Sequence, residues 1–190
     1  LLNLIKQNKA DIAKAWIDAA LGAFPADGAK FFSTSKDPFG NPVGTAVTSG
    51  IHQLLDALLE NAELEEIAKR LDRIVQMYCV QEMSPSRTVL FVFHLKKILR
   101  EKFEKELQEA RVLADFLDFE VRIDRMACMA FDVYVKYRMR IAEIRVNEIK
   151  SQVATLYRRS TIFSEHSESG SNHDKEASQA EAESNEVGSG

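Results

Sequence analysis

The sequence predicts an all-α protein, and three observations carry that prediction. Apolar residues recur at steps of three and four along most of the chain, the spacing of one helix face. The composition is rich in Leu, Ala, Glu, Lys and Arg, which helices favour. The four prolines and eight glycines cluster largely between Gly22 and Gly50, and none occurs between Pro85 and Gly170. Nothing in the backbone chemistry of that long stretch stops a helix. At 190 residues and 45% hydrophobic content, the chain can bury one sizeable core.

The first helix is predicted over Leu2–Phe24, with Leu4, Ile5, Ile12, Ala15, Trp16, Ala19 and Ala20 on its apolar face and Gly22 and Pro25 as its stop. Trp16, the single tryptophan, is expected in the core. Pro25 to Gly44 reads as irregular, with a short helix near Gly28–Ser33. Its end, Asp37-Pro38-Phe39-Gly40-Asn41-Pro42-Val43-Gly44, is dense in turn formers. A connection this long is often functional, so Phe39 and Asn41 are candidate ligand or partner contacts; the plain alternative is that Phe31, Phe32 and Phe39 plug the core. Helices follow at about Thr45–Asn61 and Leu64–Gln81. Ser84-Pro85 then supplies a helix cap and first residue. The run Val89-Leu90-Phe91-Val92-Phe93-His94-Leu95 is apolar on every face and predicts a central buried helix, which turns basic at its end, where cations suit the helix dipole.

From about Val112 to Arg159 a long helix is predicted. Its seam is Phe116, Phe119, Ile123, Met126, Ala130, Tyr134, Tyr137, Ile141 and Ile144; after a skip it resumes at Ile149, Val153 and Leu156, with Glu148 where an apolar residue was due. A continuous helix of this length would span roughly 70 Å, against about 30 to 35 Å for a compact domain of this size. It therefore leaves its domain or breaks, and an uncovered seam would be covered by a second copy, making a homodimer. The helical domain is expected over residues 1–162. Residues 163–190 carry seven acids, one base and almost nothing apolar, and are expected to be a disordered acidic tail.

The net charge of −4 divides into −6 on that tail and +2 on the body, so neither part carries the basic field of a nucleic-acid-binding protein. Cys79 and Cys128 form no CxxC pair, which suits a reducing cytoplasm. No apolar run is long enough to insert in a membrane. Phosphate-cradling loops and hydrolase or metalloprotease motifs are absent, and no enzyme activity is expected. Asp115, Asp118, Glu120 and Asp124 are expected to complement both the positive end of the long helix and the bases Arg122 and Arg125, and Asp132 to pair with Lys136. His94, alone among apolar residues, is the best candidate ligand contact; it could serve a haem iron, although a satisfied core histidine is the commoner outcome. His52 is a weaker second. Cys128 lies one position off the seam, where two copies could form a disulfide or the thiol could be inert.

Three patterns, taken in order, carry a resemblance. They are the Asp37–Gly44 loop; Ser84-Pro85-Ser86 with Phe91-Val92-Phe93-His94-Leu95-Lys96-Lys97-Ile98; and Ile123-Asp124 followed by Phe131-Asp132-Val133-Tyr134. Over about Leu4 to Leu156 the chain resembles the RsbRD N-terminal domain family, the input module of RsbT co-antagonist or stressosome-type regulators. The resemblance implies a globin-like helical sensor that usually carries no haem, often dimeric, feeding a STAS domain through a long helix whose connector includes Arg138 and Glu148. No STAS domain follows in this sequence, and His94 stands where an aliphatic residue is expected. The leading expectation is a stand-alone cytoplasmic sensor or adaptor with a STAS-domain or switch-kinase partner. The alternatives are a haem- or small-ligand sensor using His94 and a structural accessory subunit of a larger redox or signalling complex.

Overall fold

A computed structural model describes the backbone of residues 1–34, 37 and 39–186, and the side chains of these except 26, 27 and 159–186. The described chain forms seven α-helices: α1 (Leu2–Gln7), α2 (Lys9–Leu21), α3 (Ala26–Thr34), α4 (Pro42–Leu59), α5 (Leu64–Val80), α6 (Pro85–Lys102) and α7 (Ala110–Glu186). A 3-10 turn at Glu106–Gln108 precedes α7. No described residue lies in a strand, so the all-α prediction holds.

Local chemistry explains most of the boundaries. The single first helix expected over Leu2–Phe24 is divided at Asn8, whose Nδ2 donates to the Leu4 carbonyl at 2.9 Å, a local bond that competes with the helix ladder. Asn41 caps α4 by accepting from the Gly44 N–H at 2.8 Å, with Pro42 at the first helical position. Ser84 does the same for α6, accepting from Arg87 N–H at 3.4 Å ahead of Pro85. α4 and α5 end on residues with positive φ, Asn61 at 57° and Glu82 at 54°. In each case the next residue bonds back five positions, Ala62 N–H to the Ala57 carbonyl and Met83 N–H to the Tyr78 carbonyl, which satisfies two orphan carbonyls.

α2 packs against α4 and α6, and α4 packs against α5. The most buried element is α4, which contributes Val47, Ile51, Leu54, Leu55 and Leu58 at 0% exposure. At Gly50 a Cβ would come within 2.5 Å of Ile74 Cγ1, so a glycine is what lets α5 approach this closely. Trp16 is fully buried, as predicted, and its indole N–H donates to the Phe91 carbonyl at 2.7 Å. Tyr78 packs edge-on against Phe91 and Phe24, and its hydroxyl donates to the Ala20 carbonyl at 3.1 Å. α6 is not buried all round as its composition predicts. Phe91, Val92, Leu95 and Leu99 face the core, whereas Leu90 and Phe93 are largely exposed. An apolar run fixes how much of a helix prefers burial, and its neighbours decide which faces are covered.

By its packing the chain divides into two units, Leu1–Met139 and Arg140–Gly190, and α7 passes through the division. Its backbone is helical past Phe163, where an acidic tail was expected to begin; the side chains on which that expectation rests lie outside the described ones.

Candidate functional site

The two parts of the long helix α7 have different surroundings. Within the first unit, Phe116, Phe119, Ile123, Met126, Ala130 and Tyr134 are all buried. The seam expected to pair two copies is therefore the face that α7 buries in its own domain. These six side chains are not available to a partner. Tyr137 and Ile141 are half-buried, and Ile144 is exposed.

Polar bonds hold the same face in place. Arg100 on α6 makes a two-pronged bond to Glu120, 2.8 Å to each oxygen, and Lys96 reaches Asp124 at 2.9 Å. These carboxylates thus serve cations of α6, where the sequence suggested a dipole role beside Arg122 and Arg125. The Glu120 carboxylate beside it raises the pKa of Arg100 above its ordinary value. Arg122 donates to the Leu58 carbonyl at 2.8 Å, near the C-terminal end of α4. Burial without a carboxylate partner pulls its pKa below the ordinary arginine value. The Tyr134 hydroxyl donates to the Met83 carbonyl at 3.1 Å, and the Tyr137 hydroxyl to Asp72 at 2.6 Å. No ion pair joins Asp132 to Lys136 among the described residues.

The opposite face of α7 is bare. Leu113, Leu117, Val121, Phe131, Val135 and Met139 are exposed in the first unit. Phe93 of α6, with Cys128, Phe131 and Asp132 of α7, lines an apolar cleft of about 660 Å³ between the two helices. In the second unit, Val146, Ile149, Val153 and Leu156 are 44–64% exposed. No described residue from Arg140 to Arg158 is buried.

The turn-rich loop is a structural joint. Both oxygens of Asp37 accept backbone N–H groups, from Phe39 and Gly40 at 3.0 Å each. Asn41 is buried, bonding Gly44 on one side and, through Nδ2, the Phe32 carbonyl at 2.9 Å on the other. Its two bonds tie the end of α3 to the start of α4, and a Cβ at Gly44 would overlap both partners. Phe39, by contrast, is 97% exposed and plugs nothing; Phe31 is 49% exposed and meets Phe32 edge-on, and Phe32 in turn packs edge-on to Phe24. Pro38 lies outside the described residues. Asn41, Phe32 and Ser33 border a more polar cleft of about 390 Å³ against α2 and α4.

The sequence matches the family described as the RsbT co-antagonist protein rsbRD N-terminal domain over residues 10–149. The chain belongs to this family. No curated protein and no solved structure matches it. The rsbRD N-terminal domain is a regulatory family, not an enzyme family. Its matched span covers all of the buried seam and runs on through Ile149.

The remaining candidates of this rsbRD-type chain are scattered. His94 is half-buried on α6, and its Nδ1 is enclosed without a hydrogen-bond partner among the described residues. It borders neither the α6–α7 cleft nor the Asn41 cleft. His52 is exposed. Among the described residues no three His, Cys, Asp or Glu side chains gather as a metal site would require. Cys79 is buried and burial pushes its thiol pKa up, whereas Cys128 is exposed at the α6–α7 cleft. No described helix is long and apolar enough to cross a membrane.

Neither the α6–α7 latch nor the bare outer face of α7 is spelled out by any local pattern in the sequence. Lys96 and Arg100 read as dipole complements because nothing local says that α7 returns beside them. The second face did leave a trace: the skip after Ile144 is where one apolar stripe ends and another, containing Val146, is already running. Glu148 interrupts the first and belongs to neither.

Proposed function

We propose that the chain is a non-enzymatic sensor or adaptor of stress signalling, in which Leu1–Met139 receives a signal and α7 passes it to a protein partner. The observation that supports this is the double character of α7. Its Phe116–Tyr134 face is built into the core of the receiving unit, and beyond Arg140 it carries Val146, Ile149, Val153 and Leu156 exposed. A change in the packing of Ile123 or Met126, or in the Arg100–Glu120 bond, acts on the helix that further along its length carries Ile149 and Leu156. A STAS-domain protein or a switch kinase is the partner class proposed, in the cytoplasm. A homodimer, with Phe116–Tyr134 already buried, would use the α6–α7 face that carries Leu117, Val121 and Phe131.

The test is affinity capture from native extract with the full chain and with a chain ending at Ile144, partners being identified by mass spectrometry. A STAS protein or switch kinase recovered with the full chain and lost on truncation supports the relay. Equal recovery with both chains refutes it.

The enclosed, unpartnered Nδ1 of His94 favours a second reading, capture of haem or another small ligand at α6. Titration with haemin tests it: a Soret band that His94→Ala abolishes would establish the reading, and its absence would end the haem version.

A further inference from the structure

The exposed outer face of α7 within Leu1–Met139 has a repeating order. Val121, Cys128 and Val135 recur every seven residues, with Leu117 and Met139 at either end, and all five are exposed. Along one flank of this apolar line run Asp118, Arg125, Asp132 and Lys136, which fall within about 40° of one another around the helix. Their charges alternate: acid, base, acid, base. All four are exposed, and none forms an ion pair among the described residues. The other flank differs, because its acids Glu120 and Asp124 are already bonded to Arg100 and Lys96 of α6.

An alternating row of charges read backwards is complementary to itself. A second copy laid antiparallel on this face, with the two-fold axis at Cys128, sets the flank against its own reverse. Arg125 lies before the axis and Asp132 after it, so Arg125 of one copy and Asp132 of the other differ in level by only about 1.5 Å. Lys136 of one copy and Asp118 of the other differ by about 3 Å. Each pair forms twice by symmetry. The same axis sets Val121 opposite Val135 and Leu117 opposite Met139, so apolar meets apolar. A parallel copy does not serve the charges. Its axis runs along the helices and turns the flank toward the α6 side of the other copy, where Glu120 and Asp124 are already engaged.

We propose that this face is the interface between two copies of the chain, packed antiparallel along α7 about an axis at Cys128. The inference rests on the reading that a homodimer uses the α6–α7 face, and it fixes the direction of pairing and the residues that select it. The apolar line, with Phe93 and Phe131 of the adjoining cleft, supplies affinity. The charged flank supplies register: a slip of one heptad sets Arg125 against its own copy and Asp118 against Asp132, like charge against like.

The test uses the full chain. Sedimentation velocity should show a dimer, and labelling of Cys128, exposed in the single copy, should slow as the protein is concentrated. Arg125→Asp turns two attractive pairs into repulsive ones and should weaken dimerisation about tenfold. Arg125→Asp with Asp132→Arg re-forms the pairs and should restore the dimer, a rescue that a damaged fold would not show. Cross-linking reads the direction. In a Cys128→Ser background, Val121→Cys with Val135→Cys should form, on mild oxidation with diamide, disulfides between positions 121 and 135 of different copies. Within one copy these positions lie about 21 Å apart along the helix, beyond a disulfide's reach of about 7 Å. Disulfides joining position 121 to position 121 would overturn the antiparallel arrangement and leave a homodimer standing. A chain that sediments only as a monomer, or a dimer that Arg125→Asp does not weaken, would overturn the proposal; a partner still lost on truncation at Ile144 would then leave the relay reading intact.

Discussion

Ile123 and Ile149 lie on the same helix and carry the same side chain, so replacing each by alanine isolates the effect of surroundings. Ile123 has 0% exposure and Ile149 has 60%. Removing the Ile123 side chain beyond Cβ loses its transfer energy and leaves a cavity that neighbours fill only in part, at a cost of about 2–5 kcal/mol. At roughly 2–4 °C per kcal/mol for a chain of this size, the thermal midpoint should fall by about 4–20 °C. At Ile149 no cavity forms, and alanine's better helix propensity offsets most of what little contact is lost, so the change should stay within about 0.5 kcal/mol. Urea unfolding followed by fluorescence reads this directly, because Trp16 is the single tryptophan and is buried in the first unit. Equal losses of stability at the two positions, or a larger loss at Ile149, would refute the assignment of one face to the core and the other to a partner.

Three further outcomes are expected. Gly50→Ala should destabilise the chain by about 1–3 kcal/mol net in the same unfolding assay, because its Cβ would press within 2.5 Å of Ile74 Cγ1, itself fully buried; overpacking should outweigh the gain of about 1 kcal/mol in helix propensity. In the native protein a thiol reagent should modify Cys128 and spare Cys79 until urea unfolds the chain, since Cys79 is buried with its thiol pKa raised; mass mapping of the labelled peptides would contradict this if Cys79 reacted first. Lys102, bonded to Asp11 at 2.7 Å, holds that carboxyl below the ordinary aspartate pKa, so the pair stabilises the fold above the unfolded value and the contribution is lost as pH falls through the depressed one. Carbon-detected titration of Asp11 should show the depression in the wild type and its disappearance in Lys102→Met.

Much of this protein is determined by its sequence alone. Periodicity and the scarcity of glycine and proline dictate helices, because each residue's backbone preference acts locally. Ser84-Pro85 and Asn41-Pro42 mark helix starts wherever they occur, since a side-chain oxygen needs only the next turn's N–H to bond. Trp16 is bound for a core by its size, and the loop and helix motifs carry the family resemblance without any structure. Tertiary structure decided the rest, which concerns faces rather than elements. An apolar stripe demands cover but does not say from what, so the seam from Phe116 to Tyr134 reads equally well as a dimer seam or as a domain core until its residues are seen buried in their own unit, with Arg100, Leu58 and Asp72 bonded to α7. Glu120 could serve a helix dipole or a distant arginine; the return of α7 beside Arg100 selects the second. Phe39 and Phe32 have the same composition-level reason to be buried, yet Asn41 bonds back to Phe32 and fixes it inward while the Asp37 turn leaves Phe39 in solvent. Which of two interleaved stripes on α7 is left open depends on which one the rest of the chain has already covered, and that is a property of packing across distances of up to a hundred residues that no local pattern encodes.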